Sequence, residues 1–268
     1  MKFKKYDKNS SISYTFGQFP TIELVKSKKS HLLALILHEK LTITPEIENL
    51  LDYARKNSIE IIKSSKQIEI LGGKENCYLA GVFEKYAENI ETGNHIVLVS
   101  PSDSGNLGTI IRTMLGRNIK NLAIIKNGKN TDNPLELAKN NTSVDIFSPK
   151  VIRASMGSIF NIKVQIFDNF SDYENSFPTN KKYAFCLQTN QYLDTFENIL
   201  ASNFSLVFGN ESTGLPDSIA NRCEKLKIAQ TNDIDSFNLA ISVGMAIYNF
   251  TKNNVLEIKN ERKWLIKT

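Results

Sequence analysis

The stretch HIVLVSPSDSGNLGTIIRTMLGRNIKNLAII runs from His95 to Ile125. It opens on an apolar run that reads as a strand and breaks in a loop of Ser, Asp, Gly and Asn. It resumes as an apolar helix carrying Arg112 one turn in, and ends in a second apolar strand. Strand, helix, strand is the repeating unit of a parallel sheet. The pattern continues downstream. SPKVIRASMGSIFNIKVQIFDN (148–169) holds a helix and then a strand over 164–167. KYAFCLQTN (182–190) and NFSLVFGNE (203–211) read as strands, CEKLKIAQ (223–230) as a short extended piece, and SFNLAISVGMAIYNFTK (236–252) as a helix. Strands alternating with helices imply an α/β fold whose mostly parallel sheet is covered on both faces.

Upstream, residues 1–15 are polar and lack periodicity, which predicts a flexible arm. HLLALILH (31–38) reads as a buried strand. Thr44 is placed to cap the next helix, with Pro45 at its first position and Ile47, Leu50, Leu51 and Ala54 along one face. SIEIIKS (58–64) reads as a strand, SKQIEILGG (65–73) as a short helix closed by glycines, and NCYLAGVFEKY (76–86) as a third strand. A polar hinge follows at 87–95. The expected organisation is an arm at 1–15, a small α/β domain at 16–90, a larger domain at 95–256 and a basic tail at 257–268 containing Trp264.

Composition narrows the chemistry. The 268 residues carry a net charge of +5, which permits a nucleic-acid partner without requiring one. No apolar run reaches the roughly 18 residues of a membrane span, and the N-terminus lacks the apolar core of a signal peptide. Cys77, Cys186 and Cys223 are far apart and form no CxxC, which predicts free thiols and a cytoplasmic protein. His31, His38 and His95 lie in the N-terminal part or the hinge and HExxH is absent, so no metal is expected. The absence of GxSxG, and of any His near the C-terminal motifs, argues against a Ser-His-Asp hydrolase.

Ligands of parallel sheets bind beyond the carboxyl ends of the strands. SPSDSGN, CLQTN and FGNESTGLP all follow strands, so they are expected on one edge. The first is neither GxGxxG nor a P-loop. Asp103 or Ser104 could cap its helix, and Asn106 and Arg112, six apart, do not share a helix face. In LVFGNESTGLP (206–216), Gly209 and Gly214 around Glu211 suit a backbone wrapped closely about a ligand; a plain strand-to-helix turn with Pro216 starting the helix is the other reading. Ser236 is placed to cap the last helix, whose Ala240, Ser242, Gly244 and Ala246 allow close approach of another backbone. Asn238 then falls in the first turn, where Asn is a poor helix former. Arg153 could bind phosphate or pair with an acid.

In this order, SGNLGTIIRT, SPKVIRASMGSIF, FGNESTGLP and DSFNLAISVGMAIY resemble the motifs of the SpoU (TrmH) family of RNA ribose 2′-O-methyltransferases, over about Ile96 to Tyr248. KENCYLAGVFEKY looks like the end of the small ribosomal-protein-like RNA-binding domain that many members carry. The resemblance implies a sheet threaded as a C-terminal trefoil knot, a homodimer, and S-adenosylmethionine as cofactor. It places Leu187, Gly209, Asn210, Gly214, Ile228, Gln230, Ser236, Asn238 and Leu239 at the cofactor. Asn106, Arg112, Glu211, Ser236 and Asn238 stand at catalytic positions, and Arg112 and Arg153 at RNA phosphate. The implied activity is ribose 2′-O-methylation of structured RNA, with large-subunit rRNA as the expected target. A tRNA ribose methyltransferase, or a non-catalytic RNA-binding protein keeping the fold, are the alternatives. Two departures stand out. Ile228-Ala229-Gln230 replaces a common Ile-Pro-Met, which bears on cofactor affinity, and Phe237 replaces a common Leu.

Overall fold

The computed structural model describes residues 3–72, 76–126, 144–196 and 203–253. The expected basic tail at 257–268, with Trp264, lies outside them. The chain divides into two units. The described part of one runs up to Tyr86 and adds Asp145–Asn161; that of the other takes in 87–126 and Val144 and continues from Ile162.

The first unit is built on β1 (Ile12–Phe16), β2 (Leu32–Leu37), β3 (Glu60–Lys63) and β4 (Leu79–Glu84), in the order β1-β4-β2-β3. β4 runs antiparallel to both β1 and β2, and β2 pairs with β3 in parallel. Its helices are α1 (Gln18–Lys28), α2 (Pro45–Lys56), α3 (Ser65–Leu71) and α5 (Pro149–Ala154), with α4 (Ser104–Gly116) falling before α5 in the chain, within the other unit. Thr44 caps α2 through the Ile47 amide, and Gly72 ends α3 in the left-handed conformation. Alternate residues of β1, β2 and β4 (Tyr14, Phe16, Ala34, Ile36, Ala80, Val82) form one core with Ile68 and Leu71 of α3.

Two expectations are corrected here. Residues 1–15 are not simply an arm, because residues 12–15 form most of β1, paired from Ile12↔Glu84 to Phe16↔Ala80. β1 looks polar in sequence because Ser13 and Thr15 are fully buried, with hydroxyls satisfied by the Phe147 carbonyl and by Thr21. The 95–256 stretch is also not one continuous unit, since Asp145–Asn161 packs with the N-terminal residues. Phe147 meets the rings of Phe83 and Tyr86, Phe160 meets Phe83, Asp145 accepts from Tyr6 and Lys85, and Asn161 bonds Ser27 and Glu23. Helix α1 carries no signal that marks it, having Gly17 rather than a side-chain cap at its start and Thr21 among its buried residues.

The second unit holds β5 (His95–Val99), α4 (Ser104–Gly116), β6 (Asn121–Ile125), β7 (Lys163–Phe167), α6 (Phe170–Ser176), β8 (Lys181–Phe185), β9 (Phe204–Phe208), α7 (Asp217–Ala220), β10 (Glu224–Leu226) and α8 (Leu239–Thr251). Its six strands are all parallel, in the order β10-β8-β9-β5-β6-β7. On one face, Val97, Val99, Ala123, Ile125 and Val207 pack with Phe170 and Tyr173 of α6. Helices α4 and α8 pack on each other, and Phe250 of α8 reaches the rings of Phe204 and Tyr183. From β5 the chain steps outward through β6 to β7, then returns to build β8, β9 and β10 on the opposite side. β5 and β9 are therefore neighbours across the point where strand order reverses. Among the described residues no helix is long and apolar enough to cross a membrane.

Candidate active site at the sheet reversal

Adjacent parallel strands on either side of a reversal leave a crevice between the loops at their carboxyl ends. Here those loops are 100–103, after β5, and 209–216, after β9, and side chains tie them together. Asn210 Nδ2 donates to the Ser100 carbonyl at 2.7 Å, while its Oδ1 accepts from Ser212 N and Thr213 N. Ser100 itself takes a positive φ of 49° at this turn.

The Glu211 carboxylate sits at the start of α4. Oε2 accepts from Ser102 N at 3.2 Å and from Ser102 Oγ at 2.8 Å, and Oε1 accepts from Asp103 N at 3.2 Å and Asn106 Nδ2 at 3.3 Å. Burial by itself would raise the Glu211 carboxyl, but hydrogen bonds from its own backbone amide, then from Ser102 and Asn106, outweigh it and hold the group below the usual carboxylate range. The positive end of α4 adds to that preference. The anion position at this helix start is thus filled by the chain's own carboxylate.

Asp103 caps α4, its Oδ1 accepting from Asn106 N at 2.6 Å. Asn106 is therefore the third residue of the helix and not part of the loop. Its Oδ1 accepts from Asn238 Nδ2 at 3.0 Å, which brings in the C-terminal motif. The expected Ser236 cap is corrected at this point. Asn238 is the N-cap of α8, its Oδ1 accepting from Ala240 N and Ile241 N, and it stands outside the first turn, so its low helix propensity costs nothing there. The Ser236 side chain makes no hydrogen bond among the described residues, and Leu239 opens α8 buried.

Gly209 is required by a close crossing. A Cβ there would lie 2.1 Å from the Gly214 carbonyl carbon and 2.2 Å from Leu215 N. Asn210 and Gly214 exchange backbone hydrogen bonds at 3.1 and 2.9 Å, and Gly214 takes a φ of +71° to close the loop. Pro216 caps the short α7 rather than starting it.

The loops after β8 and β10 join the same edge, held by Cys186 N to Leu226 O, Lys227 N to Gln191 O and Leu193 N to Lys227 O. Leu187 is exposed there and Ile228 is half-buried. The Gln230 amide, which replaces the common Met, donates to the Ile234 and Asp235 carbonyls at 3.1 Å each, fastening the turn that leads to Asn238. Arg112 is exposed on α4 and makes no hydrogen bond or ion pair among the described residues. Arg153 is not part of this cluster. It belongs to the first unit, with its guanidinium 5.9 Å from the centre of the Phe16 ring. Sequence reasoning missed Ser102, whose identity carries no motif signal. Asp103 was legible only as one of two caps.

Comparison with known proteins gives the family. The model of the SpoU rRNA Methylase family matches residues 93–248. A putative tRNA (cytidine(34)-2′-O)-methyltransferase of Listeria innocua is 28% identical over 158 residues, spanning 58% of this chain and 85% of that protein. Among solved structures, the AdoMet-bound rRNA methyltransferase of Sinorhizobium meliloti superposes with a TM-score of 0.74, at 23% identity, over 92% of this chain and 89% of that one. The SpoU methyltransferase AviRb of Streptomyces viridochromogenes, in complex with AdoMet, gives 0.73 at 16% identity over 90% of each chain. These two likenesses show a shared fold. The family match takes in both switch-point loops and most of α8, and the chain belongs to the SpoU rRNA Methylase family.

Proposed function

We propose that this chain is an S-adenosylmethionine-dependent RNA methyltransferase acting on a ribose 2′-hydroxyl. The observation that carries this reading is the hydrogen-bonded line Glu211–Asn106–Asn238, which joins three separate motifs at the sheet reversal. The residues present fit the cofactor. The crossing at Gly209 leaves no room for a Cβ, and the mutual backbone bonds of Asn210 and Gly214 close the loop, so the backbone here is shaped to approach an adenosine closely. Exposed Leu187 and half-buried Ile228, in the loops after β8 and β10, are assigned as apolar contacts together with Leu239, and Gln230 and Ser236 flank the turn before Asn238. We also infer that the 209–216 and 233–239 segments take part in the family's trefoil knot.

When bound, S-adenosylmethionine supplies an activated methyl group on a good leaving group. What the protein adds is alignment and charge stabilisation. A guanidinium is not deprotonated in proteins, so Arg112 acts as a clamp on the neighbouring phosphate and stabilises charge developing on the 2′-oxygen, whose proton passes to solvent water. Asn106, held by Glu211 and Asn238, fixes the start of the helix that carries Arg112. Arg153 makes no ion pair among the described residues and is assigned to RNA phosphate. The net charge of +5 agrees with an RNA substrate. No metal enters the scheme.

We assign large rRNA as the target, because the chain adds a whole second α/β unit to the catalytic one. A tRNA substrate is the reading favoured by the name of the Listeria relative, which matches 58% of this chain. A homodimer is inferred from α8, which exposes Ile241, Met245 and Tyr248 at helical spacing along one stripe. The test is transfer of labelled methyl from S-adenosylmethionine to unmethylated total RNA, fractionated into rRNA and tRNA. Ribose label in rRNA supports the full assignment, and label in tRNA redirects the target. Arg112→Ala is expected to abolish transfer while leaving the melting temperature unchanged. Normal transfer by that variant refutes the site, and RNA binding with no transfer or cofactor uptake by the natural chain identifies a non-catalytic binding protein.

A further inference from the structure

We propose that Ser102 is a positioning residue whose hydroxyl orients the Glu211 carboxylate and thereby sets the direction of the amide relay through Asn106 to Asn238. The inference rests on the reading above, in which the loops joined by this relay face the cofactor. Its geometry lies wholly within the second unit and needs no bound molecule.

An ionised carboxylate only accepts hydrogen bonds, whereas an Asn amide has one donating and one accepting end. The Glu211 carboxylate is the acceptor in each of its four bonds to Ser102, Asp103 and Asn106. Asn106 must therefore turn its Nδ2 toward Glu211, which leaves its Oδ1 facing Asn238. Asn238 must answer with Nδ2, which leaves its own Oδ1 for the first amides of α8. Flipping either amide would set donor against donor at one end and acceptor against acceptor at the other. Direction therefore originates at Glu211 and passes to the α8 cap through two side chains.

Ser102 Oγ is the only hydroxyl among the four donors on Glu211, and its 2.8 Å bond is the shortest of them. Both bonds to Oε2 come from Ser102. Without the hydroxyl, Oε2 keeps only the 3.2 Å bond from Ser102 N, and the carboxylate can rotate away from the pose in which Oε1 meets Asn106. Bonds to a charged acceptor are the strong ones. No motif marks Ser102, and it touches neither of the two amides directly, so its influence must run through Glu211.

The test compares the natural chain with Ser102→Ala and Ser102→Thr. One readout is the Glu211 carboxyl titration, followed by carbon NMR on the full chain without cofactor, together with the side-chain amide signals of Asn106 and Asn238. The other is methyl transfer measured as KM for S-adenosylmethionine, kcat and pH profile. Ser102→Ala is expected to raise the Glu211 titration midpoint and to shift the amide signals of both asparagines. It should raise the cofactor KM by about five- to tenfold, from loss of one charge-assisted bond at a partly exposed site, and move the acid limb of the rate profile to higher pH. Ser102→Thr, which keeps the hydroxyl, is expected to restore all four. Unchanged Asn238 signals and an unchanged midpoint in Ser102→Ala overturn the relay. A natural chain that gives these NMR responses yet binds no S-adenosylmethionine refutes the cofactor reading, and with it the positioning role, while leaving the hydrogen bonds themselves in place.

Discussion

Two glycines in one loop should fail for different reasons and by different amounts. At Gly209, an added Cβ would sit 2.1 Å from the Gly214 carbonyl carbon, 2.2 Å from Leu215 N and 2.3 Å from the Gly214 oxygen. These are backbone atoms, so no side-chain rotation relieves the overlap, and one chain segment must move by more than 1 Å. That displacement breaks the Asn210–Gly214 backbone pair and pulls Glu211 from the start of α4. Overpacking of this kind costs about 1–3 kcal/mol, and the two lost hydrogen bonds add about 1 kcal/mol each. Gly209→Ala is therefore expected to destabilise the chain by about 3–5 kcal/mol and to abolish S-adenosylmethionine binding. At Gly214 nothing lies within 4 Å of the added Cβ, but φ is +71°. Gly214→Ala then costs only the left-handed conformation, about 1–2 kcal/mol, and should weaken binding without removing it. Urea unfolding gives the stabilities and calorimetric titration the affinities. The reasoning is refuted if Gly209→Ala unfolds within 1 kcal/mol of the natural chain or proves milder than Gly214→Ala.

Further outcomes are expected elsewhere in the second unit. Asn238→Ala should cost about 1 kcal/mol through loss of the α8 cap, whereas Ser236→Ala should leave the urea midpoint within error; the reverse ranking would return the cap to Ser236. Gly244 has nothing within 4 Å of an added Cβ, so Gly244→Ala should stabilise the isolated chain by about 0.5–1 kcal/mol. The same methyl is expected to weaken a dimer packed on α8, read by sedimentation against concentration. His95 is fully buried, with Nε2 on the Glu91 carbonyl and Nδ1 on the Tyr173 hydroxyl. Burial, with Lys182 adding to it, holds its pKa below the ordinary histidine value despite the opposing Glu91 bond. The unfolded chain therefore takes up this proton first as pH falls. The contribution of neutral His95 is complete above about pH 6.5 and drains away as pH drops below it toward the folded pKa. Urea midpoints at pH 7.5 and 5.5 should differ by more in the natural chain than in His95→Gln, and equal differences would remove His95 as the cause.

The strands of the second unit were legible because they are short apolar runs between polar loops, as in HIVLV, NLAII and FSLVF. Buried on both faces, such strands need no partner to be seen. Helix α2 was legible from Thr44, Pro45 and its apolar face, all local signals. β1 was not, because Ser13 and Thr15 read as exposed until Phe147 and Thr21 satisfy their hydroxyls. The allegiance of Asp145–Asn161 was hidden for a similar reason, since the aromatic partners of Phe147 and Phe160 lie more than 60 positions away.

At the site the division is the same. Residue types and order alone determined that a Gly-Asn-Glu loop follows one strand, that Asn106 and Arg112 follow another, and that Ser236 and Asn238 lie near the start of the last helix, which is enough to identify the family. Only the tertiary structure decided that Asn238 is the cap, that Glu211 fills the start of α4, and that Ser102 holds it there. Local propensities set which element each residue joins, because they depend on neighbours within a turn or two. Hydrogen bonds spanning more than 100 residues exist only once the sheet has brought β5 and β9 side by side, and it is that pairing which turns separate motifs into one site.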